Sequence, residues 1–188
     1  MKSAIAAASA VLVSTFFGIP AFAEQGASDA ALAGALKQAK LPLESGLAAS
    51  SREGTPISAK YEIEDDDADE LQLSVYTMQD GPVDIDSDTG DVTLKDPTFA
   101  EVIVDHTTGK IVKVVPIKDG EDLAAAKNQS KVIAQAGRSL EAAIAQAVKA
   151  NGGYRAVSAI PDLKDGHPVA KVTLVNGGEW KTVYEKLD

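Results

Sequence analysis

The sequence predicts an α+β fold: two small modules, each a helix packed on an antiparallel β-sheet, following a cleaved export signal. Three observations predict it. The turn Asp105-His106-Thr107-Thr108-Gly109-Lys110 lies between the apolar runs Val102–Val104 and Ile111–Val115. Leu140, Ala143, Ile144, Ala147 and Val148 form an i, i+3, i+4, i+7, i+8 stripe, which gives a helix one apolar face. Helical periodicity precedes a group of strand-like segments twice, without alternating with each strand, and such a helix buries its stripe best across one sheet face.

The first 23 residues read as a secretory signal. Lys2 supplies the positive start, Ala4 to Gly18 an apolar stretch, Pro20 a break, and Ala21-Phe22-Ala23 a small-Xaa-small cleavage pattern. The apolar stretch is shorter than the roughly 20 residues a membrane span needs. The expected mature chain therefore starts at Glu24, without stable membrane insertion, in the periplasm or outside the cell. Cysteine is absent, so stability has to come from core burial, and thiol catalysis, zinc–thiolate sites and haem attachment through Cys are excluded.

Charge is uneven. Residues 24–118 carry 19 acids and 8 bases, while residues 119–188 carry 9 of each. From Tyr61 to Leu94 there are 12 acids and no base. Such a surface repels nucleic acid and anionic lipid and suits a cation or a basic protein patch.

In the first passage Leu32, Ala35, Leu36 and Ala39 share a helical face, with Ser28 or Asp29 as the N-cap and Pro42 ending the helix. Glu44–Thr55, rich in Ser, Gly and Ala, reads as a loop. Ile57, Ala59, Tyr61 and Ile63 then alternate on one face of a strand. The acidic cluster from Glu64 to Glu70 turns the chain into a second strand with Leu71, Leu73 and Val75. Asp80-Gly81 and the Asp86–Gly90 turn punctuate the next stretch. A hairpin runs from Phe99 to Val104, through the Thr-Gly turn, to Ile111–Val115, and Pro116 closes it.

The second passage, with a boundary between Lys118 and Glu121, opens on acids at a helix start. That helix runs to about Ala136 and breaks at Gly137. Ser139 caps the striped helix, and Asn151-Gly152-Gly153 stops it as a left-handed cap does. Three strands complete the passage, Tyr154–Ile160, Val169–Val175 and Glu179–Leu187, with turns at Asp165-Gly166 and Gly177-Gly178.

These features resemble tandem PepSY domains, the module named for propeptides of thermolysin-like metallopeptidases. Ser139–Ala150 is similar to the family's Ser-Leu-Xaa-Xaa-Ala-Ile helix, and Gly153–Val157 and Pro168–Val175 to its first strands. Glu101–Ile111 resembles its closing strand, Asp-Xaa-Xaa-Thr-Gly-Lys, strand signature. The resemblance spans roughly two thirds of the mature chain, as modules over 24–118 and 119–188. Two departures stand out: the acidic insertion Gln79–Thr98, and a second module that ends at Tyr184–Asp188 without a Thr-Gly-Lys turn or final strand. The resemblance implies a non-catalytic module that binds or restrains a peptidase or another envelope protein. Strand addition to a free sheet edge needs no specialised side chain, and an unpaired edge also invites self-association.

In the Asp105 turn, Asp105 accepts backbone hydrogen bonds, Gly109 takes a positive φ, and Thr108 and Lys110 complete the motif; these roles are structural. Asp84, Asp86 and Asp88 alternate like the start of a calcium loop. The match then fails, with Gly90 one place late and Lys95 where a bidentate Glu is required. A repeated hairpin turn is the simpler account, and a calcium-responsive acidic hairpin is the alternative to the binding module. Glu64–Asp67 with Asp69 and Glu70 reads as a solvated loop. Trp180 and Tyr184 share a strand face, either as an exposed contact patch or, the preferred reading, packed against the helix over 140–150. His106 and His167 have no partner spacing for zinc, and no Gly-Xaa-Ser-Xaa-Gly elbow occurs. Exposed carboxylates would not have the separated pKa values that acid–base catalysis needs. No enzyme activity and no cofactor are expected.

Overall fold

The computed structural model describes residues 29–63, 70–81, 83–85, 87, 89 and 92–188, with Val83, Asp84, Ile85, Val92 and Leu94 described by their backbone alone. The predicted export signal and the acidic run 64–69 lie outside the described residues. Among the described residues, no helix is long and apolar enough to cross a membrane.

The first half of the chain forms helix α1 (Asp29–Ala35), helix α2 (Leu43–Ser50), a 3₁₀ turn (Ser51–Glu53) and six strands. The strands are β1 (Thr55–Ile63), β2 (Leu71–Gln79), β3 (Val83–Ile85), β4 (Val92–Leu94), β5 (Thr98–Val104) and β6 (Ile111–Ile117). The second half adds α3 (Gly120–Ile133), α4 (Leu140–Ala150), β7 (Arg155–Lys164), β8 (His167–Asn176) and β9 (Glu179–Lys186). Seven strands form one antiparallel sheet in the order β6-β5-β2-β1-β7-β8-β9, and β3 and β4 form a separate hairpin. The sheet runs through both halves of the chain. Its halves meet where β1 faces β7, through the register pairs Ala59↔Ala159 and Lys60↔Ser158.

Period-two alternation sorts the side chains to two faces. Leu73, Val75, Val102, Val172 and Leu174 point into the main core, with Leu36 from the turn after α1, Leu43 and Leu47 of α2, and Ile144 of α4. Tyr76 and Phe99 point the other way and pack with Ala126 of α3, flanked by Leu123 and Ile133. Ser58 Oγ donates to Gln129 Oε1 of α3 across 2.7 Å, which ties that helix to the sheet through a buried polar contact.

Two expectations are corrected. The segment read as a loop over Glu44–Thr55 is mostly α2 and its 3₁₀ extension. Pro42 stands at the N-cap of α2 with extended backbone, so it separates two helices as well as ending the first. Leu43 and Leu47, one helical turn apart, are both fully buried. Each contributes about 1.5–3 kcal/mol, which outweighs the weak helix preference of the Ser and Gly between them. Strict alternation places Ile57 on one face with Ala59 and Tyr61. A bulge between Pro56 and Ser58 turns it into the α3 cluster instead.

Other turn chemistry agrees with the sequence. Ser139 Oγ accepts from Ala142 N at 3.3 Å at the start of α4. Asp165 and Gly166 take φ of 54° and 80°, the pair of positive angles that a two-residue type I′ hairpin requires.

Candidate functional site

The Thr-Gly turn joins β5 to β6. Asp105 Oδ1 accepts from Thr107 N and Thr108 N, both at 2.8 Å, and these two bonds hold its carboxyl below the usual Asp range. Asp105 N donates to Lys110 O and Gly109 N to Asp105 O, each at 2.8 Å, with Gly109 at φ 73°. The His106 carbonyl accepts from Lys40 N and Leu41 N at 3.1 Å, clasping the turn to the segment between α1 and α2. The Asp105 carboxylate and the backbone of Thr107, Thr108, Gly109 and Lys110 are thus engaged in building the turn.

The turn positions β6, one edge of the sheet. Val112 is 67% exposed and Val114 41% exposed, although Ile111 packs against the main core. In β5, the Ala100 carbonyl accepts from Thr77 Oγ1 of β2 at 3.3 Å, so this residue's backbone faces β2. Pro116, which pairs with Ala100 from the other side, therefore sits where β6 points its backbone outward. Its missing N–H costs the β5 ladder nothing, and it removes one donor from the free edge.

The opposite edge, β9, is built differently. Tyr154 Oη donates to Glu179 Oε2 at 3.0 Å, Lys181 Nζ bonds Asn151 Oδ1, and the Lys164 ammonium lies 4.7 Å from the ring centre of Tyr184. Just beyond the strand, the Leu187 carbonyl accepts from Gly137 N at 2.7 Å and Arg138 N at 2.9 Å. Trp180 is half-buried against the main core, and Tyr184 is 47% exposed. Packing of Tyr184 against the helix over 140–150 does not occur. Strand alternation gives that face to Val183, which pairs with the buried Val172, and turns Tyr184 to the other side beside Lys171.

Sequence reasoning missed a half-buried polar group on the face that α3 partly covers. Lys60 Nζ lies 2.5 Å from Glu62 Oε2 on β1. Gln72 Nε2 donates to Ser74 Oγ at 2.8 Å and reaches Glu101 Oε1 at 3.5 Å. Burial pushes the Glu101 carboxyl above the usual Glu range, against the Ser74 hydroxyl, which lowers it, and with Glu62, which raises it further. Burial also raises the Tyr76 hydroxyl well beyond its ordinary value. The polar alternates of three strands carried this signal, but only the register brings Gln72 and Glu101 together.

The calcium candidates gain no geometry. Asp84 lies in β3 opposite Thr93, described by backbone alone, and Asp86 and Asp88 lie outside the described residues. Among the described residues, no three His, Cys, Asp or Glu side chains group as metal ligands. His167 Nδ1 lies 3.3 Å from Asp188 Oδ2, and His106 Nδ1 lies 3.3 Å from Thr107 Oγ1, so the two histidines serve separate turns.

Comparison of the chain with family models, with curated proteins and with solved structures finds no match.

Proposed function

We propose that this chain is an exported, non-catalytic binding protein of two PepSY-like modules, residues 24–118 and 119–188, which docks a partner on a sheet edge. A peptidase is the partner class that the motifs imply. The observation that carries the reading is an antiparallel sheet ending in a strand that exposes two apolar side chains, Val112 and Val114. Strand addition there needs only backbone groups and shallow apolar contacts.

The strand order supports the modular part. The two half-sheets, β6-β5-β2-β1 and β7-β8-β9, meet through the first strand of each, and the second half has no strand in the place that β6 takes in the first. The test is a titration of the mature chain, from Glu24, against a thermolysin-like metallopeptidase. The expected result is a saturable loss of peptidase rate together with a complex that sediments as one species. Unchanged rates and no complex would overturn the peptidase reading.

A further inference from the structure

We infer that β6 is the acceptor edge and that its guest is an extended peptide in which apolar residues alternate with acidic ones. The inference rests on the binding reading above and names the edge and the chemistry of the partner.

The two edges of the sheet differ in kind. β9 carries Glu179, Lys181, Glu185 and Lys186, charges of both signs that guard an edge against pairing. Several of its side chains are already engaged, and the chain just past its end is clasped by Gly137 and Arg138. β6 holds two of the four large hydrophobic side chains that stand exposed on the described surface. From Lys110 to Lys118 the chain has three lysines and no acid, within a half whose net charge is −11. Lys40, whose backbone is fixed on His106, adds a further base beside the turn. A basic, apolar strip on an acidic protein selects a guest of opposite charge.

The register fixes where each class of guest residue belongs. Lys113 pairs with Ile103, so an acidic guest side chain beside Lys113 meets no carboxylate on the next strand. Val114 and Lys113 are neighbours on β6 and point to opposite faces, so an alternating guest sets its apolar side chains on the Val114 face and its acidic ones on the Lys113 face. Pro116 offers an outward carbonyl without an N–H, and the added ladder ends there. A second copy fits less well. Antiparallel self-pairing centred on Val114 sets Lys110 opposite Lys118 at both ends, and it joins two chains that each carry a net charge of −10.

The test is fluorescence anisotropy with the mature chain and three labelled peptides: alternating Val and Glu, alternating Val and Lys, and the Val–Glu peptide N-methylated at alternate residues. The expected result is binding of the Val–Glu peptide, at least about tenfold weaker binding of the Val–Lys peptide, and none of the N-methylated one. Lys110→Glu with Lys113→Glu should reverse the charge preference, and Val114→Asp should abolish binding while circular dichroism stays native. Equal binding of both charged peptides, no binding of any, or indifference to these substitutions overturns the inference. So does a dimer in sedimentation that Val114→Asp dissolves, which assigns the edge to a second copy. If the peptides fail while the peptidase titration succeeds, the inference about β6 falls and the binding reading stands; if both fail, both fall.

Discussion

The guanidinium of Arg155 lies over the ring of Tyr61, 5.4 Å from its centre, and both side chains donate to the carbonyl of Leu41, at 2.9 and 2.8 Å. Arg155 also donates to the carbonyls of Leu36 and Ala39, at 2.8 and 3.2 Å. These carbonyls lie just beyond α1, in the turn and the segment that lead to α2, and the Leu36 carbonyl also accepts from Ala39 N at 3.2 Å. A residue at the start of β7 therefore binds a segment more than a hundred positions earlier. It fastens the second half of the chain to the first beside the short β1–β7 seam.

Arg155→Ala should lower stability by about 2–4 kcal/mol, because it leaves half-buried carbonyls without a charged donor. Arg155→Lys should recover little of this, since one ammonium cannot reproduce the planar fork. Tyr61→Phe should cost about 1 kcal/mol. Urea unfolding of the three variants gives the ranking, and an Arg155→Lys variant as stable as the parent would show that charge alone suffices.

Gly46 sits in α2 where a β-carbon would come within 2.7 Å of Leu73 Cδ2. Alanine is the better helix former by about 1 kcal/mol, yet the close approach of α2 to the sheet should dominate. Gly46→Ala is expected to destabilise by about 1–3 kcal/mol through overpacking. A second change, Leu73→Val, should restore part of the loss, and thermal unfolding of the single and double variants measures it.

The helices α3 and α4, the turn at Asp165-Gly166 and most of the described strands were legible because their signals are local. The Ser139 cap, the Leu140–Val148 stripe and the Asp165-Gly166 pair each act within a few residues. α2 was not legible, because only Leu43 and Leu47 mark it and their burial depends on Leu73 and Ile144 from elsewhere in the chain. The face of Ile57 depends on a bulge, and the face of Tyr184 on which side α4 covers. The partners of the Asp105 carboxylate lie inside the motif, whereas the clasp of the His106 carbonyl on Lys40 and Leu41 depends on a distant segment. The union of two groups of strands into one sheet was not legible, because it rests on two register pairs at the seam and on the long-range bonds of Arg155.

Asp105 gives a pH dependence of one sign. Its carboxyl is held below its ordinary value by the amides of Thr108 and Thr107. The stabilisation is complete above the unfolded pKa and is lost as pH falls through the lower folded one. Asp105→Ala should be less stable than the parent at neutral pH, and the gap should narrow on acidification below pH about 4. A gap that stays constant down to pH about 2 would assign the loss to the backbone of the turn and not to the charge.

Glu101, two strands from the seam, gives the opposite sign. Burial raises its folded pKa, so the ionised side chain opposes folding, and the penalty grows as pH rises from the unfolded value towards the folded one. Glu101→Gln keeps the shape and an acceptor for Gln72 while removing the charge that Glu62 and Asp122 repel. It should be more stable than the parent at pH about 7 and equal to it near pH about 3, where both side chains are neutral. Because Glu101 lies in the middle of β5 and Asp105 directly follows that strand, pH titrations of the two variants share their background, and their difference isolates burial from backbone bonding. If Glu101→Gln were less stable at neutral pH, Lys60 would outweigh burial, and the carboxylate would be holding the β1–β2–β5 face together.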